Sequence, residues 1–215
     1  MTFSTMLQTM SVGMLRTIGI FCLTLVFSLP LGMLIALLRR SRFAVVRGII
    51  KVYISIMRGT PLMLQLLVWY FGPFYLFGMS IRGYRFTAII LGFALNYAAY
   101  FAEIFRAGIE SMPVGQYEAA DVLGYTRGQT FIKIILPQVI KRILPAVTNE
   151  VITLVKDTSL AFTLAYQEVF SIAKQISAAQ TSFMPFLIAG VFYYVANYAV
   201  AFAMEGIEKS LRYYQ

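Results

Sequence analysis

The residues able to do chemistry in this chain are few, and they fall in groups. Lys156-Asp157-Thr158-Ser159 sets a cation, a carboxylate and two hydroxyls in succession within an apolar region, with Asn149 and Glu150 shortly before them. Glu103 and Arg106 stand three apart in another apolar stretch that also holds Asn96, and Arg58 sits just ahead of a third. Ionisable groups within such runs are costly in a bilayer and face a protein interior or a polar cavity. Together these residues offer both signs of charge and several hydrogen-bonding groups. The same residues have a purely structural reading. Glu103 can pair with Arg106 one turn along, Lys156 can neutralise Asp157, and Thr158 and Ser159 can bond back to the helix backbone.

Much other chemistry is excluded. One cysteine, Cys22, and no histidine leave no zinc site of the usual nitrogen and sulfur type. No disulfide can form within the chain, and no Ser-His or Cys-His nucleophile pair can be assembled. No stretch reads G-x-x-x-x-G-K-[ST], so no phosphate-cradling loop of that kind is present. A membrane-embedded enzyme would have only carboxylate or lysine chemistry.

The elements that carry these groups are apolar helices. Of the 215 residues, 60% are hydrophobic and 13% charged, against roughly 45–50% apolar in soluble domains. The class is therefore all-α integral membrane. Lys and Arg number 18 against 9 Asp and Glu. In a soluble chain that balance would suggest nucleic acid, but here the cations flank apolar runs, and the positive-inside rule accounts for them. Runs of about 20 apolar residues predict five spans, at roughly 13–38, 60–79, 86–109, 140–165 and 183–206. Thr60 is placed to cap the second, with Pro61 in its first turn. Phe43 to Met57, with Arg47 and Lys51 four apart, reads either as an amphipathic helix at the interface or as a kinked start to the second span.

Loop charges orient the spans. Arg39, Arg40, Arg42, Arg47, Lys51, Arg127, Lys133, Lys141, Arg142, Lys209 and Arg212 fall on one side, against Arg82, Arg85, Lys174 and Arg16. That bias places the N-terminus outside and the C-terminus inside. No basic stretch precedes the first apolar run and no small-residue cleavage site follows it, so the first span is expected to stay.

The longest segment outside the spans, about 111–138, lies on the cytoplasmic side between spans three and four. It reads as two short helices. Pro113 opens the first and Gly124 ends it. Thr126 caps the second, which is expected to run until Pro137 interrupts it. A short helix held between two spans, with small residues on one face and Glu118 to pair with a partner's cation, makes a good lever. It also fits an ordinary amphipathic loop lying on the membrane.

Glu118-Ala119-Ala120, three residues, Gly124, nine residues, then Ile134-Ile135-Leu136-Pro137 resembles without gaps the EAA motif of binding-protein-dependent ABC importer permeases. Arg58-Gly59-Thr60-Pro61-Leu62 is similar to the FRGTPL signature of the polar amino-acid branch, with Met57 for Phe. Tyr100-Phe101-Ala102-Glu103-Ile104-Phe105-Arg106-Ala107-Gly108-Ile109 is similar to its Y-x-A-E-I-F-R-G-G-I, with Ala107 for the first Gly. Gly115-Gln116-Tyr117-Glu118 and Leu154-Val155-Lys156-Asp157-Thr158-Ser159-Leu160 also look like that branch.

The resemblance implies a type I ABC importer permease fold, with residues 1–215 as one transmembrane domain in a bacterial cytoplasmic membrane. It implies a coupling helix, with Pro113, Gly115, Gln116, Glu118, Ala119, Ala120 and Gly124 meeting an ATP-binding subunit. That subunit would hold ATP and Mg, leaving this chain without cofactor or ATPase site. It further implies an extracytoplasmic amino-acid-binding protein and a second permease, either a copy or a sibling. Nucleic acid has no place in this reading. Substrate-path candidates are Arg58, Asn96, Glu103, Asn149, Glu150, Lys156, Asp157, Thr158 and Ser159. A secondary transporter or passive channel is the alternative, although no convincing internal repeat of the kind common in secondary transporters is found.

Overall fold

A computed structural model describes residues 2–211; Arg212 of the loop-charge pattern lies outside them. Every element among the described residues is helical. The order is α1 (Phe3–Arg39), α2 (Ala44–Gly59), α3 (Leu62–Phe77), α4 (Arg85–Glu110), α5 (Val114–Val122), the single turn α6 (Arg127–Gln129), α7 (Leu136–Asp157), α8 (Val169–Gln180) and α9 (Met184–Ser210).

The main core forms where α1 runs alongside α4. Small residues let the two backbones close: a Cβ on Gly32 would stand 3.1 Å from the Ala98 carbonyl oxygen and 2.8 Å from the Phe101 Cβ. Ile20, Ile35, Phe93, Phe101 and Ile109 fill the seam and are buried. A second cluster joins the first turns of α1 to the later helices, with Met6, Met10 and Met14 against Val169, Ile172 and Ile176 of α8 and Ala189 of α9.

Helices occur at each of the five expected places, but they differ in kind. Three helices (α1, α4 and α9) are long and apolar enough to cross a membrane on their own. The second expected span is the short helix α3, which meets α2 at 112°. Residues 43–57 form most of the separate helix α2, with Val45, Ile49, Val52 and Ile56 exposed along it. The caps shift by one residue from expectation. Thr60 ends α2 and Pro61 is the N-cap of α3, because proline disfavours helical geometry in the residue before it. The fourth expected span stays α-helical only to Asp157, then tightens into a 3₁₀ helix over Thr158–Leu164. Its helix α7 carries Lys141, Arg142, Glu150, Lys156 and Asp157, too many charges to face lipid.

At the expected outer end, the segment after that 3₁₀ helix is tied down by polar contacts. Arg85 donates to the Ala165 carbonyl at 3.2 Å and Arg16 to that of Gln167 at 3.1 Å. Glu168, 0% exposed, caps α8 by accepting from the backbone N–H groups of Phe170 and Ser171, and it also accepts from the Tyr193 hydroxyl of α9. Thr17 of α1 accepts from the Val169 N–H beside it. Burial pushes the Glu168 carboxyl up to about 7, although these three donors oppose the shift.

A carboxyl whose folded pKa is raised binds its proton more tightly folded than unfolded. Its contribution to stability is therefore full below the ordinary carboxylate range near 4.5 and is lost as pH rises to about 7. Thermal unfolding of the purified complex should show a Glu168 contribution roughly 3 kcal/mol more favourable at pH 4.5 than at pH 8. Glu168→Gln should remove that component, and identical pH dependence in variant and parent would contradict the assignment.

Candidate functional site

The segment between α4 and α7 is built by local rules. Pro113 is the N-cap of α5. At its other end Gly124 adopts φ +77°, with its N–H bonded to the Asp121 carbonyl and the Tyr125 N–H to that of Ala120. This pair of bonds is the glycine-terminated helix end that the sequence predicted. Thr126 and Gln129 then form a capping box. Pro137 does not interrupt the helix that follows. The chain widens into a π-helix over Thr130–Ile135 and passes directly into α7, where Pro137 sits in the first turn. A proline within a continuing helix gives no N–H to the preceding turn, and the widened π turn just before Pro137 is where that misfit is taken up.

The first part of the segment is fastened to α7, and its far end runs straight on into that helix. Arg142 of α7 donates to the carbonyl and hydroxyl of Ser111, and Gln138 donates to Gln116 across 3.3 Å. Pro113, Gly115, Gln116, Glu118, Ala119 and Gly124 are exposed. Ala120 is 1% exposed and packs inward, so the small-residue face is split: one alanine seats the helix and the other faces out. Sequence reasoning overlooked Val114, Val122 and Leu123, which are apolar and exposed on the same segment at 69, 88 and 72%. Their signal was available, as apolar residues flanking a motif that faces away from the spans.

The intramembrane polar residues divide into three groups. On α7, Asn149 and Lys156 are exposed, with Glu150, Thr153 and Asp157 half-buried beside them. Positions 149, 153 and 156 recur at helical spacing on one face. Lys156 and Asp157 do not pair with each other. The Asp157 carboxylate accepts instead from the Tyr97 hydroxyl of α4 at 2.7 Å, because consecutive residues point about 100° apart on a helix. Thr158 and Ser159 bond back to the carbonyls of Val155 and Lys156, as one of their readings had it, and Thr158 is fully buried.

The second group surrounds Glu103. Its Oε1 lies 2.6 Å from Nη1 of Arg39, and its Oε2 lies 2.8 Å from Nη2 of Arg106 and 3.8 Å from Nη1 of Arg58. Arg106 also pairs with Glu110, and Arg58 lies over the Tyr100 ring. The pairing of Glu103 with Arg106 was legible; the arginines arriving from α1 and α2 were not, since only the fold brings them there.

The third group clasps the elbow between α2 and α3. A bend of this size interrupts the helical ladder and leaves backbone carbonyls without their usual donors. Gln65 donates to the Met57 carbonyl at 2.9 Å and to the Thr60 carbonyl and hydroxyl. Asn96, 4% exposed, donates to the Met57 carbonyl and to the Gln65 side-chain oxygen. Asn96 is thus part of the scaffold and does not join the exposed face of α7. Gln65 was missed, although it is the sole polar side chain between Thr60 and Trp69.

Comparison with known proteins places this architecture. Residues 28–213 match the family described as binding-protein-dependent transport system inner membrane component. The chain belongs to that family. It is 37% identical over 201 residues to the arginine transport system permease protein ArtQ of Bacillus subtilis, covering 93% of this chain and 91% of that one. It is 36% identical over 200 residues to a putative glutamine transport system permease protein GlnP of Rickettsia typhi, with the same two coverages. Its structure resembles that of an amino acid ABC transporter solved with histidines, with a TM-score of 0.86, 32% identity, and 98 and 99% of the two chains covered. The fold is shared with the inward-facing MetNI methionine ABC transporter, TM-score 0.75 over the same coverages at 19% identity.

Replacing Asn96 by Leu would leave the buried Gln65 side-chain oxygen without its donor. The expected loss is about 1–3 kcal/mol, read as earlier unfolding of the purified complex in detergent. An unshifted transition would contradict the clasp.

Proposed function

We propose that the chain is the permease subunit of an ATP-driven amino-acid importer, with separate subunits holding ATP and Mg. The observation that carries this reading is the exposed Glu118 segment, fastened at one end to α4 and at the other to α7, the helix with the polar face. A push on α5 is delivered to both spans at once. Val122 and Leu123 add apolar contact area for an ATP-binding partner. Relatives named for arginine and glutamine transport, and a neighbour solved with histidines, support amino acids as the substrate class.

In this reading the chain is one transmembrane unit of a bacterial cytoplasmic membrane, with five spans, the N-terminus outside and the C-terminus inside. It pairs with a second copy or a sibling and receives substrate from an extracytoplasmic binding protein. The exposed face of α7 lines the path. Lys156 meets the substrate carboxylate, Glu150 and Asp157 favour its ammonium group, and Asn149, Ser159 and Arg58 supply further polar contacts. Closure of the ATP-binding subunits drives the coupling segments and exchanges inward for outward access, a rigid-body change of known type.

Proteoliposomes containing the complex, with binding protein outside and a panel of labelled amino acids, test the reading. ATP trapped inside should be required for accumulation. Glu118→Lys or Gly124→Asp should lower uptake at least tenfold while leaving the permease in the membrane. Equal flux without ATP would instead establish a channel or secondary carrier. Normal uptake by both variants would remove the coupling role of this segment.

A further inference from the structure

The cluster around Glu103 joins three helix ends, and its bonds are unequal. Arg39 is the last residue of α1 and Glu103 lies in α4. These two helices form the most extensive interface of the fold, and Gly32 holds them at backbone contact. The 2.6 Å pair between Arg39 and Glu103 therefore lies inside one packed body. Arg106 belongs to α4 itself. Arg58 is different. It stands at the end of α2, one residue before the elbow, with its side chain 44% exposed, and its 3.8 Å separation from Glu103 is the longest in the cluster.

Beyond the elbow, α3 packs on the 3₁₀ helix that follows Asp157. Below Glu103, seven residues of α4 lead to Glu110 and then into the coupling segment. An unbroken physical path thus runs from α5 through α4 to Glu103, across to Arg58, through the clasped elbow to α3, and on to the end of the polar face of α7. Two turns before Glu103 on the same helix, Asn96 also ties α4 to the elbow at 2.9 and 3.0 Å; beside those bonds the 3.8 Å Glu103–Arg58 contact is the loose link.

We infer that Glu103 is a positioning residue for transport. Its ion pair with Arg58 is a joint through which displacement of the coupling segment reaches the end of α2, beside the fixed Asn96 clasp, while its pair with Arg39 only fastens α1 to α4. This rests on the coupling reading above and assigns it a route.

The joint is separable from general stability because the two arginines do different work. Losing Arg39 weakens a packed body without touching the route. Losing Glu103 or Arg58 breaks the route at the same point, so removing both costs no more than removing one.

The test uses the reconstituted full complex with loaded binding protein, a mixture of labelled amino acids, and phosphate release measured in the same vesicles. The quantity read is solute accumulated per ATP hydrolysed. Glu103→Gln and Arg58→Gln should each lower it at least fivefold, and the double variant should match the worse single one. Arg39→Gln should unfold at lower temperature yet keep the ratio within twofold of the parent. If Glu103→Gln does not assemble, half-exposed Arg58→Gln carries the test. A joint lowers the maximal ratio at saturating substrate, whereas an arginine acting only as a substrate ligand raises the half-saturating concentration and leaves that maximum alone. An unchanged ratio in the Arg58 variant, additive losses, or an equal loss in the Arg39 variant would overturn the joint. Absence of ATP-driven accumulation in the parent complex would overturn the importer reading and the joint with it.

Discussion

A bilayer interior supplies no water to solvate a charge or a stranded carbonyl, and that constraint shapes this chain more than any single contact. Its largest departures from plain apolar helix are balanced by partners from other elements. The elbow between α2 and α3 strands carbonyls at Met57 and Thr60, which Gln65 and Asn96 satisfy. Arginines from three helices converge on Glu103. Asp157 finds Tyr97. Buried Glu168 finds the N-terminus of α8 and a tyrosine of α9. The helices are thus joined by a handful of polar nodes set in an apolar matrix. Nodes of this kind can hold two packed bodies in register while leaving a defined place for them to part.

Once those polar groups are subtracted, α7 remains the exception. Asn149 and Lys156 stay exposed along one face, with Glu150 and Asp157 beside them. A helix of that character between apolar neighbours needs a polar surrounding, either a water-filled path or a partner subunit. Its first turn also grows directly out of the segment proposed to couple to the ATP-binding subunit. The proposed path and its drive therefore share one continuous helix, and the π-helical turn at Thr130–Ile135 is where the two meet.

Local signals were the most legible part of this structure. Gly124 ends α5, Thr126 caps the next turn and Pro113 opens the segment as their backbone chemistry predicts, because caps depend on residues a few positions apart. The apolar runs located α1, α3, α4, α7 and α9, but α8 carried no such run. What could not be read was whatever depends on distant residues meeting. Arg39 looked like an ordinary interfacial cation and Arg58 like a path residue until the fold brought both to Glu103. Asn96 looked like a path residue because its partners, a carbonyl and a glutamine 31 positions away, have no sequence signature. Ala120 looked exposed because the motif does not say which alanine faces inward. Pro137 looked like a break because a π-helix leaves no mark in composition.

Exchange of access along α7 is the central claim, and side-chain accessibility reads it directly. In a Cys22→Ser background, single cysteines at positions 149 and 156 would be labelled with a membrane-impermeant thiol reagent applied from either side of reconstituted vesicles. Labelling would be compared in the nucleotide-free complex and in the complex trapped with ATP and vanadate. The account predicts labelling from the cytoplasmic side in the first state and from the opposite side in the second. Labelling from the same side in both states, or from neither, would contradict it.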